Sequence, residues 1–143
     1  MEFFSKIYVA GHTGMVGSAI VRELRKQGYT NIITRTHKEL DLCRQSEVEA
    51  FFANEKPEYV FVAAAKVGGI RENIEYPADL LYINLIMNAN IMQAAHTTGV
   101  KKLIVLGSSC IYPVNIGQPM NENDFLSGKP EPTNEGYAIG KIA

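Results

Sequence analysis

Cysteine is scarce here: Cys43 and Cys110 are the two in 143 residues. Two thiols do not make a disulfide framework, which argues against a stapled secreted scaffold and fits a reducing cytoplasm. Neither sign of charge is in excess. Fourteen basic residues face fifteen acidic ones, for a formal net charge of −1, so nothing points to nucleic acid or to a charged interaction tail. The opening residues, Met1-Glu2-Phe3-Phe4-Ser5-Lys6, lack the basic start and apolar run of a signal peptide. A cytosolic chain is expected. His, Cys and carboxylates do not cluster at metal-ligand spacing, so no metal is expected. Formal charge is missing altogether from 80–100, a run of membrane-spanning length. Yet Asn84, Asn88, Asn90, Gln93 and His96 recur through it, too many polar groups for a span in lipid. The segment reads as a helix covered on more than one side, with one face on a sheet and another free to meet a partner subunit.

What is present is an alternation of strand and helix. Residues 6–10 are a short apolar run, followed by a glycine loop and an amphipathic helix. That helix places Val16, Ala19, Ile20 and Leu24 inward, and Arg22, Glu23, Arg25 and Lys26 outward. Gly28 stands where a helix-terminating glycine belongs. A second strand is expected over 31–34, and a second helix over 46–54 with Val48, Phe51 and Phe52 buried. A third strand, 59–65, is apolar almost throughout, as a parallel strand covered on both faces should be. A long helix over Pro77–Thr98 ends at Gly99, and 103–106 forms another buried strand. A loop over 112–135 precedes a short terminal helix, and loops of that length are usually functional. These elements predict one α/β domain over 1–143: a right-handed, doubly wound parallel sheet of the Rossmann-like, dinucleotide-binding kind.

Three features carry chemistry. Gly11-His12-Thr13-Gly14-Met15-Val16-Gly17 lies between a strand and a helix. Glycines there allow a tight turn and close approach of backbone to a pyrophosphate, which the helix N-terminus attracts. The second, Ser108-Ser109-Cys110, follows a strand end, where open α/β sheets bind ligands. A hydroxyl there can bond a substrate carbonyl, or simply cap the strand. Tyr137 and Lys141, four apart, are the third, sharing one face of a helix. An ammonium so placed favours the phenolate and readies a phenol for proton transfer near neutrality. In that order the three read as hydride transfer to or from a carbonyl. The end of the second strand reads Thr34-Arg35-Thr36-His37-Lys38, with no carboxylate before Glu39. Basic residues there favour NADP(H) over NAD(H), unless they are only a solvated patch. Asp41 and Leu42 are placed to meet the adenine; Ala63, Ala64 and Ala65 offer small side chains beneath the cofactor, with Leu106 and Gly107 beside it. Cys43 reads as a small buried hydrophobe, and Cys110 on its own reads the same way. His12 belongs to the loop, His96 to packing or polar pairing.

These motifs resemble the extended short-chain dehydrogenase/reductase family. The stretches from Gly11 to Ile20, Ala63-Ala-Ala-Lys-Val-Gly-Gly-Ile70, Tyr76-Pro-Ala-Asp79, Gly107-Ser-Ser-Cys-Ile-Tyr-Pro113 and Glu131-Pro-Thr-Asn-Glu135 before Tyr137-Ala-Ile-Gly-Lys-Ile-Ala143 are similar to its GDP-L-fucose synthase branch. That resemblance implies NADPH-dependent epimerisation of GDP-4-keto-6-deoxy-D-mannose at C3 and C5, then reduction at C4. It implies that Tyr137 donates a proton to the carbonyl oxygen, Lys141 binds the nicotinamide ribose and Ser108 orients the ketone. Cys110 becomes the acid/base for epimerisation, and the Pro77–Thr98 helix a homodimer contact. Two departures stand out. The family often carries arginines near Thr13 and His37 to touch a 2′-phosphate, leaving Arg35, His37 or Lys38 to compensate. It also continues well past Ala143, so the chain reads as its N-terminal, NADP-binding part, truncated before the last strands of the sheet and without the C-terminal substrate domain. Another nucleotide-sugar epimerase or reductase, and a non-catalytic NADP-binding module, remain as alternatives.

Overall fold

In the computed structural model, which describes residues 1–143, strand β1 (Ile7–Ala10) lies inside a four-stranded sheet. Strands β2 (Ile32–Ile33), β3 (Tyr59–Val62) and β4 (Lys102–Val105) complete it, in the order β2-β1-β3-β4. Every neighbouring pair is parallel, with Ile7 opposite Tyr59, Ala10 opposite Val62, and Val62 opposite Val105. Parallel neighbours require crossovers. These run through helices α1 (Met15–Lys26), α2 (Gln45–Glu55), α3 (Ile70–Glu75) and α4 (Pro77–Thr98). Helix α5 (Glu135–Ile142) closes the chain. The expected α/β class and parallel sheet are both found.

The chain divides into two compact units, Met1–Ala65 with Met87–Leu106, and Lys66–Ile86 with Gly107–Ala143. In the first unit both faces of the sheet are covered. Ile7 and Val9 point to one face, where Val21 and Leu24 of α1 pack with Tyr59 and Phe61. Tyr8, Ala10, Val60 and Val62 point to the other, onto Val48, Phe51 and Phe52 of α2 and Ile91, Ala94 and Ala95 of α4. The Tyr8 ring lies tilted against Phe51 at 4.6 Å and meets Phe52 edge-on at 6.0 Å. Burial there pushes the Tyr8 phenol's pKa well above its ordinary value, against a smaller opposite pull from Arg35.

The second unit is held by close helix packing. Ala138 of α5 is fully buried, and Gly136 and Gly140, one turn apart, face the start of α4. A Cβ on Gly140 would stand 2.9 Å from the Leu81 carbonyl oxygen, and one on Gly136 would fall within 3.0 Å of the Pro77 carbonyl oxygen. Asn84 of α4 is buried and fully used. It accepts from the Lys66 N–H at 3.0 Å and donates to the Lys66 and Leu80 carbonyls at 2.8 and 2.7 Å.

Several expectations need correction. Val16 and Ala19 are exposed, not inward; α1 buries Gly17, Val21 and Leu24, because Gly17 seats the helix on the glycine loop. Strand β2 keeps only two residues of 31–34, and β3 stops at Val62 short of Ala65. Residues 112–135 are not structureless: they hold 3-10 turns at Glu122–Asp124 and Pro132–Asn134, with another at Ser109–Ile111. Helix α3 was not anticipated, since its apolar residues Ile70 and Ile74 point outward and give no inward stripe. His96 is exposed on the last turn of α4. Helix α4 itself forms over the expected residues, and no helix is long and apolar enough to cross a membrane.

Candidate functional site

In the first unit the glycine loop folds as its sequence demands. Gly11 takes φ +80°, and a Cβ there would stand 2.5 Å from the Ala64 nitrogen. Gly17 lies so close to the Gly11 carbonyl that a side chain on it would collide with backbone. The Gly14 N–H donates back to the Gly11 carbonyl at 3.0 Å, and Gly14 caps α1 with no side chain across its N-terminus. The first N–H groups of α1 therefore face out past small residues, with Thr13, Met15 and Val16 exposed around them. Such a cradle fits a pyrophosphate. The His12 Nδ1 is buried there without a hydrogen-bond partner.

Ala63 continues the sheet bonding through its N–H to the Ala10 carbonyl at 3.0 Å, and Leu106 does so to Val62 at 3.1 Å. Leu42 is buried, and its carbonyl accepts from Asn90 of α4 at 2.9 Å. Asp41 accepts from the Cys43 N–H at 3.0 Å. Burial, then the Asp41 carboxylate, pushes the Cys43 thiol up. Arg35 is partnered within the chain. Its guanidinium donates to Glu55 at 2.6 Å and to the Thr34 carbonyl at 2.9 Å, and it lies 5.4 Å over the Phe51 ring. His37 is exposed, 3.8 Å from Asp41. Lys38 is exposed. Glu39, noted in the sequence only as the first carboxylate after the second strand, accepts from the Thr36 N–H and hydroxyl, both at 2.7 Å. Those bonds hold it below the usual carboxylate range. The T-x-x-E spacing was the signal that could have revealed it.

The second unit holds the segments that carry the candidate reacting groups. After Gly107, the Ser108 Oγ accepts from the Cys110 N–H at 3.3 Å, opening the Ser109–Ile111 turn. That turn packs against α5, which carries Tyr137 and Lys141. Ser109 is exposed; Ser108, Cys110, Tyr137 and Lys141 are partly buried. Desolvation pulls the Lys141 ammonium below the ordinary lysine value. Asn134, which the sequence did not single out, donates from Nδ2 to the Cys110 sulfur at 3.4 Å. It stands 24 residues from Cys110, beyond the reach of any periodic pattern.

The NAD dependent epimerase/dehydratase family profile matches residues 7–143. The chain belongs to this family. It is 60% identical, over its whole length, to the putative GDP-L-fucose synthase 2 of Arabidopsis thaliana, 44% of which it covers. It is 52% identical over 138 residues to the GDP-L-fucose synthase of Escherichia coli (strain K12), matching 96% of this chain and 43% of that one. Among solved structures, the family fold recurs in MlghC, a GDP-mannoheptose C4 reductase from Campylobacter jejuni with NADP bound. There the TM-score is 0.95 at 39% identity, covering 99% of this chain and 45% of that one. The chain thus spans less than half the length of the relatives it matches.

Proposed function

We propose that the chain is the cofactor-binding part of an NADPH-dependent epimerase and reductase that converts GDP-4-keto-6-deoxy-D-mannose to GDP-L-fucose. The observation that carries this reading is the packing of the Ser108–Cys110 turn against the helix of Tyr137 and Lys141 within one unit. The identity to GDP-L-fucose synthases supports the choice of sugar. NADPH, when bound, supplies hydride to the C4 ketone. The uncapped start of α1 and the loop from Gly11 to Gly17 hold its pyrophosphate. Tyr137 gives the ketone oxygen its proton, and Lys141 binds the nicotinamide ribose beside it. Because the Ser108 oxygen already accepts from Cys110, its hydroxyl proton is free to donate to the ketone and orient it. Cys110 moves the C3 and C5 protons, which are acidic because each lies beside that ketone.

The same proposal takes the protein as a cytoplasmic homodimer formed through α4, where Tyr82, Leu85 and Met92 are exposed apolar side chains on a helix whose one formal charge is Asp79. A second reading, reduction of another GDP-sugar, draws support from the likeness to the heptose C4 reductase. A non-catalytic NADP-binding module has no need of Ser108, Tyr137 and Lys141 together. Fluorescence titration of the chain with NADPH and NADH is the first test. Saturable binding with NADPH preferred is expected, and absence of binding would overturn the reading of the glycine loop. In the longer protein, Tyr137→Phe is expected to abolish ketone reduction while sparing NADPH binding. Loss of binding in that variant would refute its role as proton donor.

A further inference from the structure

Asn134 immediately precedes α5, in the position where an asparagine ordinarily turns its side-chain oxygen onto the helix's free N–H groups. It does not do so: the side chain makes no capping bond. Its Nδ2 donates instead to the Cys110 sulfur at 3.4 Å, and its Oδ1 is buried without a hydrogen-bond partner. The backbone that aims it is pinned. Glu131 accepts from the Thr133 N–H at 3.0 Å and from the Thr133 hydroxyl, and the Asn134 N–H donates to the Glu131 carbonyl at 3.2 Å. A helix cap has been given up, and a buried acceptor left unmet, to set an amide against a thiol.

We propose that Asn134 is the positioning residue for Cys110, its amide pairing with the sulfur in both protonation states. A carboxamide presents a donor at one end and an acceptor at the other. With Nδ2 toward the sulfur it stabilises the thiolate. After a half-turn of the amide, the now unmet Oδ1 accepts from the S–H of the thiol. A group that takes a proton and later returns it needs both partners in turn, and one asparagine supplies them without moving its backbone. This rests on reading Cys110 as the acid/base group. The ionisable groups on the elements packed against this turn are Glu135, Tyr137 and Lys141 on α5 and Glu131 before the Pro132–Asn134 turn, with Tyr112 following Cys110.

The test is the pH profile of alkylation by iodoacetamide, in which the thiolate displaces iodide from carbon. A Cys43→Ser background leaves Cys110 as the single thiol, and rates are followed over about pH 6 to 10, spanning the ordinary thiol range. Asn134→Asp replaces the donor with a carboxylate that repels the thiolate. It is expected to move the half-point up by about one pH unit, slowing reaction near neutrality about tenfold. Asn134→Ala, which only removes the amide, is expected to move it the same way by less. Circular dichroism checks that each variant folds, and Asn134→Ala carries the test if Asn134→Asp does not. Half-points unchanged in the folded variants, or rates lowered equally at every pH, would overturn the proposal, since a purely structural residue would give that result. The readout uses no sugar nucleotide, so a failure to turn over GDP-4-keto-6-deoxy-D-mannose would sink the proposed reaction and leave this result standing.

Discussion

Gly136→Ala is the substitution that most directly tests how α5 is held. A glycine-to-alanine change inside a helix ordinarily stabilises it, by up to about 1 kcal/mol. Here the new methyl would fall within 3.0 Å of the Pro77 carbonyl oxygen, with the Pro77 carbonyl carbon at 3.0 Å and its Cα at 3.2 Å. All three are backbone atoms and cannot rotate aside. Overpacking of that kind costs about 1 to 3 kcal/mol, so against a propensity gain of about 1 kcal/mol a net loss of up to about 2 kcal/mol is expected. Gly140→Ala meets a milder obstacle, 2.9 Å from the Leu81 oxygen and 3.3 Å from the Asn84 Cβ, and should fall near neutral. Gly117, with nothing within 4 Å of an added Cβ, is the control. Its alanine variant should be neutral or gain about 0.4 to 1 kcal/mol through the unfolded chain. Urea unfolding followed by circular dichroism ranks the three. If Gly136→Ala proves as stable as Gly117→Ala, the close approach of α5 to α4 is wrong.

Gly17→Ala pushes a methyl onto the Gly11 carbonyl, so NADPH affinity by fluorescence titration should fall by at least about tenfold, the loss expected when a backbone cradle for phosphate is forced open. Unchanged affinity would remove the loop from the site. Asn84→Leu leaves the Lys66 N–H and carbonyl unpaired and should cost about 2 to 4 kcal/mol in urea unfolding; a loss below that range would mean that the polar groups find other partners. Burial lowers the Lys141 pKa from its ordinary 10.5, so between the lowered value and 10.5 the unfolded chain binds more protons and stability rises with pH. Lys141→Met should therefore stabilise the chain at neutral pH and flatten that alkaline rise, seen in unfolding midpoints taken at increasing pH.

Sequence periodicity revealed most where burial is one-sided or complete. Helix α4 was readable to the residue, because Pro77 starts it, Gly99 ends it at φ +73°, and no charge follows Asp79 in its first turn. The glycine loop was equally plain, since only glycine fits at position 11 against the Ala64 backbone. Reading failed where a long-range partner decides. The pairing of Arg35 with Glu55, twenty residues on, leaves no mark in the sequence around either residue. The inward face of α1 was misplaced by Gly17, whose lack of a side chain is the reason it is buried yet leaves no mark in a hydrophobic pattern. Asn134 likewise gives no local sign of its bond to Cys110.

The parallel order of the sheet has a consequence for how the chain is made. Strand β1 leaves the ribosome first, yet its four-residue partner β3 lies about fifty residues later, a delay of roughly 3 to 10 s at ordinary rates of synthesis. Strand β2 arrives sooner but offers only two residues to pair. Throughout that interval Ile7, Tyr8, Val9 and Ala10 are a bare apolar stretch, open to chaperones or to a neighbouring nascent chain. The segment most completely enclosed once folding ends is also the one that waits longest for its principal partner.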